Sequence, residues 1–154
     1  MLSLYRPEYK DLWFREMMLA DEKTMSYNHA YGSIIPFPEE RWRSWYDKWI
    51  IHHEGLRYYR YLKDATGHFV GEISYHYDDD HDEYLMDVII LSLYRNKGYG
   101  SKALDMLCEI AKENGIKALC DDLASDNPAL GLFLKHGFRE ISRNDDVIFL
   151  KKEL

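Results

Sequence analysis

Tyr84 to Leu91 is a nearly continuous apolar run broken only by Asp87, and it narrows the choice of fold more than any other stretch of the chain. A short apolar run of this kind suits a central strand buried on both faces. A polar loop, Ser92 to Lys97, follows, and Gly98-Tyr99-Gly100 then opens a segment that reads as helix as far as Asn114. Ala103, Leu104, Leu107, Ile110 and Ala111 make one apolar stripe along it, and Gly115 supplies the stop. A buried strand feeding a glycine-led amphipathic helix points to an α/β layer architecture.

The flanking segments fit that frame. Leu2 to Tyr5 alternates as a half-buried strand, and residues 8–20 read as helix. Asp21 to Pro38 is rich in Ser, Tyr, Asn, Gly and Pro and is not expected to form one regular element. Pro38-Glu39-Glu40 starts a second helix, on which Trp42, Trp45 and Trp49 share a face. Arg57 to Leu62 and His68 to Tyr77 read as strands, joined by a turn at 64–67, and the acidic run Asp78 to Glu83 as a solvated hairpin loop. After the glycine-led helix come a short strand, Ile116 to Asp121, and a helix capped by Asn127 with Pro128 first. A closing hairpin pairs Phe138–Ser142 with Val147–Lys151. The order β-α-α-β-β-β-α-β-α-β-β implies a mixed sheet with helices on both faces.

At 154 residues the chain is expected to form a single domain, residues 1–154, and 46% hydrophobic side chains suffice for one core. Charged residues at 31% and the lack of a long apolar run argue against a membrane protein; 15% aromatics argue against disorder. The net charge of −7 argues against non-specific nucleic-acid binding, which needs a cationic face. Cys108 and Cys120 make no disulfide framework and read as buried, reduced thiols. No basic-then-apolar leader opens the sequence, so the expected compartment is the cytoplasm.

The loop at 95–102 reverses the sign of this acidic chain, with Arg95, Lys97 and Lys102 and no acid between Tyr94 and Lys102. Free amides at a helix start, together with the dipole, form an anion site, and Gly98 and Gly100 let a ligand approach the backbone. A phosphate-bearing ligand is the simplest partner. The spacing fits no nucleotide P-loop. A dinucleotide fingerprint would need a third glycine where Ala103 stands, although Asp121 and Asp122 fall near the expected acid.

The string Arg95-Asn96-Lys97-Gly98-Tyr99-Gly100 after the fourth strand resembles the pyrophosphate loop of the GCN5-related N-acetyltransferase (GNAT) superfamily. Val70-Gly71-Glu72-Ile73 resembles its third strand. Asn127-Pro128-Ala129 through Lys135-His136-Gly137-Phe138 resembles its second coenzyme A segment, so the likeness spans nearly the whole chain. The resemblance implies a mostly antiparallel sheet splayed between strands four and five, with acetyl-CoA as acyl donor and no metal. It implies that backbone groups of Ile90 and Leu91 meet the pantetheine arm and thioester, and that Arg95, Asn96, Lys97, Gly98, Tyr99, Gly100 and Ser101, chiefly through amides, hold the pyrophosphate. Asn127 would contact the pantetheine, and Lys135 a phosphate. Two positions depart from the family pattern. Ser92 stands where Pro is frequent, and Phe133 where a tyrosine usually supplies the proton for the departing thiol. A thiol of pKa about 8.5 leaves tolerably as thiolate, so the expected activity is transfer of acetyl to a primary amine. The alternative is an acyl-CoA-binding protein without catalysis.

An amine of pKa about 10.4 must lose a proton before it attacks. Asp87, on the central strand, and Glu72, beside it, are the candidate bases; either could equally be a paired structural carboxylate. The acceptor, a small amine or a peptide amino terminus, would meet Tyr27, Asn28 and Tyr31, with Trp45 and Trp49 as an aromatic wall. His76, Asp78, Asp80, His81 and Glu83 lack the pattern of a calcium loop and read as a solvated tip. Edge strands and the closing hairpin are compatible with a homodimer.

Overall fold

A computed structural model describes residues 1–154, apart from the side chains of Ala30 and Tyr31. Seven strands form one sheet in the order β1-β2-β3-β4-β5-β7-β6. They are β1 (Ser3–Tyr5), β2 (Arg57–Lys63), β3 (Phe69–Asp78), β4 (Glu83–Ile90), β5 (Ala118–Ala124), β6 (Arg139–Arg143) and β7 (Val147–Glu153). Every neighbouring pair is antiparallel except β4 and β5. Helices α1 (Leu12–Ala20), α2 (Glu22–Met25), α3 (Trp42–Tyr46), α4 (Tyr99–Glu113) and α5 (Leu130–Lys135) cover the two faces.

Side-chain alternation along β4 divides the core. Met86 and Ile90 face the α4 side, where they pack with Leu104, Leu107, Leu119, Leu123 and Phe133. Ile89 and Leu91 face the other side, packing with Leu12, Phe14 and Met18 of α1 and with Tyr46, Tyr59 and Tyr61. A central strand that buries side chains on both faces is what its nearly continuous apolar run demands.

The parallel pair is short. Only Tyr84↔Leu119 and Leu85↔Cys120 are in register, after which the strands diverge and Met86 to Ile90 run on beside a gap. Asp87 and Asp121 both border the gap, on opposite faces of the sheet, and the charge of Asp87 raises the Asp121 carboxyl. On the other edge β3 approaches β4 closely at Gly71. A Cβ there would lie 2.1 Å from the Ile89 carbonyl oxygen, so only glycine fits.

Several expected boundaries move. The strand read as Ile116–Asp121 is β5, Ala118–Ala124: the Ile116 N–H closes the α4 terminus on the Ala111 carbonyl, and the two aspartates pair within the sheet. Asn127 does not cap α5 directly. Its Oδ1 accepts from the Ala129 N–H, making a turn before the helix begins at Leu130. The tryptophan helix is three pieces, a 3-10 turn (Glu39–Arg41), α3, and a π turn (Asp47–Ile51). The acidic hairpin is tighter than read, with strand pairing continuing to Asp78↔Glu83. Among the described residues, no helix is long and apolar enough to cross a membrane.

Candidate active site

The end of β4 is fastened to α2. Ser92 donates its backbone N–H to Thr24 Oγ1 at 2.9 Å, a bond proline could not make, and its hydroxyl donates to Asp21 Oδ2 at 3.3 Å. Thr24 donates both its hydroxyl and its N–H to the same Asp21 carboxylate, which these bonds, with Ser92 and Lys23, hold below its usual range. Arg95 completes the clasp. Its guanidinium donates to the carbonyls of Ile90 (3.1 Å), Lys23 (3.3 Å) and Thr24 (2.6 Å), so its charge is directed at backbone rather than spread over the loop.

Beyond Arg95 the chain turns sharply into α4. Asn96 and Gly98 adopt left-handed backbone, at φ 64° and φ 80°, and the first α4 bond runs from the Lys102 N–H to the Gly98 carbonyl. Among the described residues no group accepts from the amides between Asn96 and Ser101. Free N–H groups at the start of a long helix are suited to accepting an anion. The Ser101 hydroxyl is engaged by His136 Nε2 at 2.8 Å, and His136 Nδ1 meets Asp105 Oδ1 at 2.7 Å, so this side chain ties α4 to the end of α5.

Two cavities meet at the gap. The first, about 420 Å³, lies on the α4–α5 side and is lined by Ile90, Arg95, Asn96, Gly98, Tyr99 and Gly100, by Asn127, and by Phe133. The second, about 390 Å³, lies on the α1–α3 side against Tyr27, Asn28, Trp45, Trp49, Tyr59 and Glu72. Tyr27, Asp87, Asp121, Leu123 and Asn127 line both. Leu91, Lys97, Ser101 and Lys135 line neither; the Leu91 N–H is bonded to the Val70 carbonyl, and Lys97 and Lys135 point to solvent. By the alternation of an antiparallel strand, the N–H groups of Val88 and Ile90 face the gap instead. The expected contact at Tyr31 lies outside the described side chains. Trp45 and Trp49 stack at 6.1 Å against the α1–α3 side of the core and also wall the second cavity.

The junction is acidic. Glu72 is 3% exposed, and burial pushes its carboxyl up to about 7 against the pull of Arg15, with Asp87 adding to the rise. Asp87 is open to the cleft, yet partial desolvation by its walls pushes its carboxyl up to about 6 against the pull of Arg15. Burial, then Asp87, lifts the Asp121 carboxyl well above the usual range. Burial and these three acids keep the Tyr27 hydroxyl protonated. Asp121 was missed as a site residue because its neighbours read as an ordinary strand end. The available signal was a carboxylate between Leu119 and Leu123, where alternation calls for a core residue. Arg15 was also missed, being one charge in a helix.

A sequence model of the acetyltransferase (GNAT) family matches residues 2–138, and the chain belongs to that family. Among solved structures it resembles a candidate phosphinothricin N-acetyltransferase at 25% identity and TM-score 0.74, covering 100% of this chain and 99% of that one. It also resembles the spermidine N-acetyltransferase of Vibrio cholerae in complex with CoA and spermine, at 19% identity and TM-score 0.82, covering 99% and 95%. A third is the PaiA N-acetyltransferase of Thermoplasma acidophilum in complex with coenzyme A, at 14% identity and TM-score 0.72, covering 100% and 99%. No curated protein matches the sequence. The mixed, mostly antiparallel sheet with its splayed fourth and fifth strands is the fold that the family resemblance implies.

Proposed function

We propose that the protein is an acetyl-CoA-dependent N-acetyltransferase that acetylates a small primary amine or a peptide amino terminus. The observation that carries this reading is the meeting of two cavities across the β4–β5 gap with Asp87 at the junction. The residues present suit the acyl donor. The amides of Asn96 to Ser101 take the diphosphate, the gap-facing groups of Val88 and Ile90 take the pantetheine as an added strand, and Asn127 flanks it. The amine enters from the aromatic cavity. Its nitrogen attacks the thioester carbon, forming the C–N bond, and the C–S bond breaks as the tetrahedral centre collapses. Asp87 receives the proton from nitrogen, a role suited to a carboxyl raised to about 6, because a base is most useful when its pKa lies near working pH.

Phe133 cannot supply the proton that a tyrosine would. Asp121 is placed to do so. Asp87 shares a strand face with Ile89 and the amine cavity, whereas Asp121 shares one with Leu119 and Leu123 on the acyl-donor side. A carboxyl held neutral on that side can protonate the departing sulfur, leaving amide and free thiol. The test is release of CoA thiol from acetyl-CoA across a panel of amines and matched alcohols. Thiol release dependent on an amine supports the reading; activity confined to alcohols, or absent with every acceptor, overturns it.

A further inference from the structure

We propose that the acceptor is a small zwitterion, a free α-amino acid or close analogue, whose acid group docks on Arg15 while its amine turns to Asp87. This rests on the transferase reading. Arg15, on α1, places its guanidinium carbon 4.4 Å from the ring centres of both Phe37 and Trp45. Among the described residues no carboxylate forms an ion pair with it, and its buried Nε–H has no acceptor. Beside it the Tyr59 hydroxyl and the Glu72 carboxyl, on residues 1% and 3% exposed, face each other, and Arg15 pulls on the Glu72 charge. Buried polar groups in folded proteins are almost always paired, so a guanidinium Nε–H left without an acceptor beside a cavity marks a place that a ligand completes.

The chemistry of these side chains specifies that ligand. Arg15 Nε–H can only donate, so the ligand must present an acceptor there, and an anionic one is favoured over the guanidinium. An ionised Glu72 oxygen accepts, so the ligand must also bring a donor. The cavity separates charge in the same sense: its carboxylates, Glu72, Asp87, Asp121 and Asp122, all come from the sheet, and the α1–α3 side contributes Arg15 and no acid. A diamine or polyamine would press its second ammonium toward that cation. A peptide amino terminus would carry its free carboxylate far from it. A free amino acid presents an anionic end to the helical side and an amine to the sheet side, and transfer then follows as above, with the proton passing from nitrogen to Asp87.

The experiment measures CoA thiol release from acetyl-CoA with matched pairs, a free amino acid against its decarboxylated amine, and with spermidine. The wild-type protein is expected to favour the amino acid at least tenfold in kcat/KM. Arg15→Met is expected to erase that preference through KM rather than kcat, and Arg15→Lys to keep part of it, with acetyl-CoA titration certifying that each variant is folded. Equal or better turnover of the decarboxylated amines or spermidine would overturn the inference and leave the transferase reading standing, as would a preference intact in Arg15→Met. Thiol release that no amine raises above the acceptor-free rate would overturn both. Should Arg15→Met fail to fold, the wild-type pairs alone decide.

Discussion

Glu72→Gln should make the ligand-free protein more stable at alkaline pH and a poorer enzyme. The substitution keeps shape and removes the charge from a carboxyl that is 3% exposed and has an oxygen without a partner. Below about pH 4.5 the folded and unfolded chains both carry it neutral, and no penalty exists. As pH rises from 4.5 toward 7 the unfolded chain gives up the proton while the folded chain retains it, so stability falls. Above pH 7 the loss is complete and constant. A carboxyl lifted from its ordinary 4.5 to about 7 costs the folded state about 3 kcal/mol, at about 1.4 kcal/mol for each pH unit. For a chain of this size that is about 6 to 12 °C in Tm. Thermal or urea unfolding of both proteins at pH 4.5 and pH 8.5 should give curves close together in acid and separated by up to that amount in base. Equal stability at pH 8.5, or a gap that is widest in acid, would refute the reading of Glu72 as a buried carboxyl whose ionisation costs the ligand-free fold stability.

Asp87→Asn should lower turnover by about 10²- to 10⁴-fold, the usual worth of a positioned base. In the wild type, kcat at saturating amine should fall about tenfold between pH 7 and pH 5 with a break near 6, and the variant should lack that break. Asp121→Asn should lower kcat by at least tenfold, and adding Phe133→Tyr should recover part of it by returning a hydroxyl to the acyl-donor cavity. No recovery together with normal acetyl-CoA binding would count against Asp121 as the proton donor. Gly71→Ala should destabilise by about 2–3 kcal/mol in urea unfolding, because its Cβ would fall 2.1 Å from the Ile89 carbonyl oxygen.

What could be read from sequence was what short-range pattern encodes. The apolar run into Ile90, the glycines at 98 and 100 and the stripe from Ala103 to Ala111 located β4, the turn after it and α4, since burial on two faces and amphipathic spacing leave few alternatives. What escaped depends on contacts between distant segments. Arg95 looked like a phosphate ligand, but its partners are the carbonyls of Ile90 and, on α2, of Lys23 and Thr24. Asp121 became a site residue only when β4 and β5 were seen to part after two paired positions. Arg15 acquires meaning from Phe37, Trp45 and Tyr59, which no local window joins. Asn127 was read as a helix cap; it makes a turn one step earlier, and local propensity does not separate the two.

The central claim is that free amides at the head of α4, beside the unzipped edge of β4, grip the acyl donor. Isothermal titration of acetyl-CoA into the purified, folded protein tests it most directly. The account predicts a saturable heat at one site per chain, weakened strongly in Gly98→Val, whose side chain is strained at φ 80°. Absence of any saturable heat with the wild-type protein would contradict it.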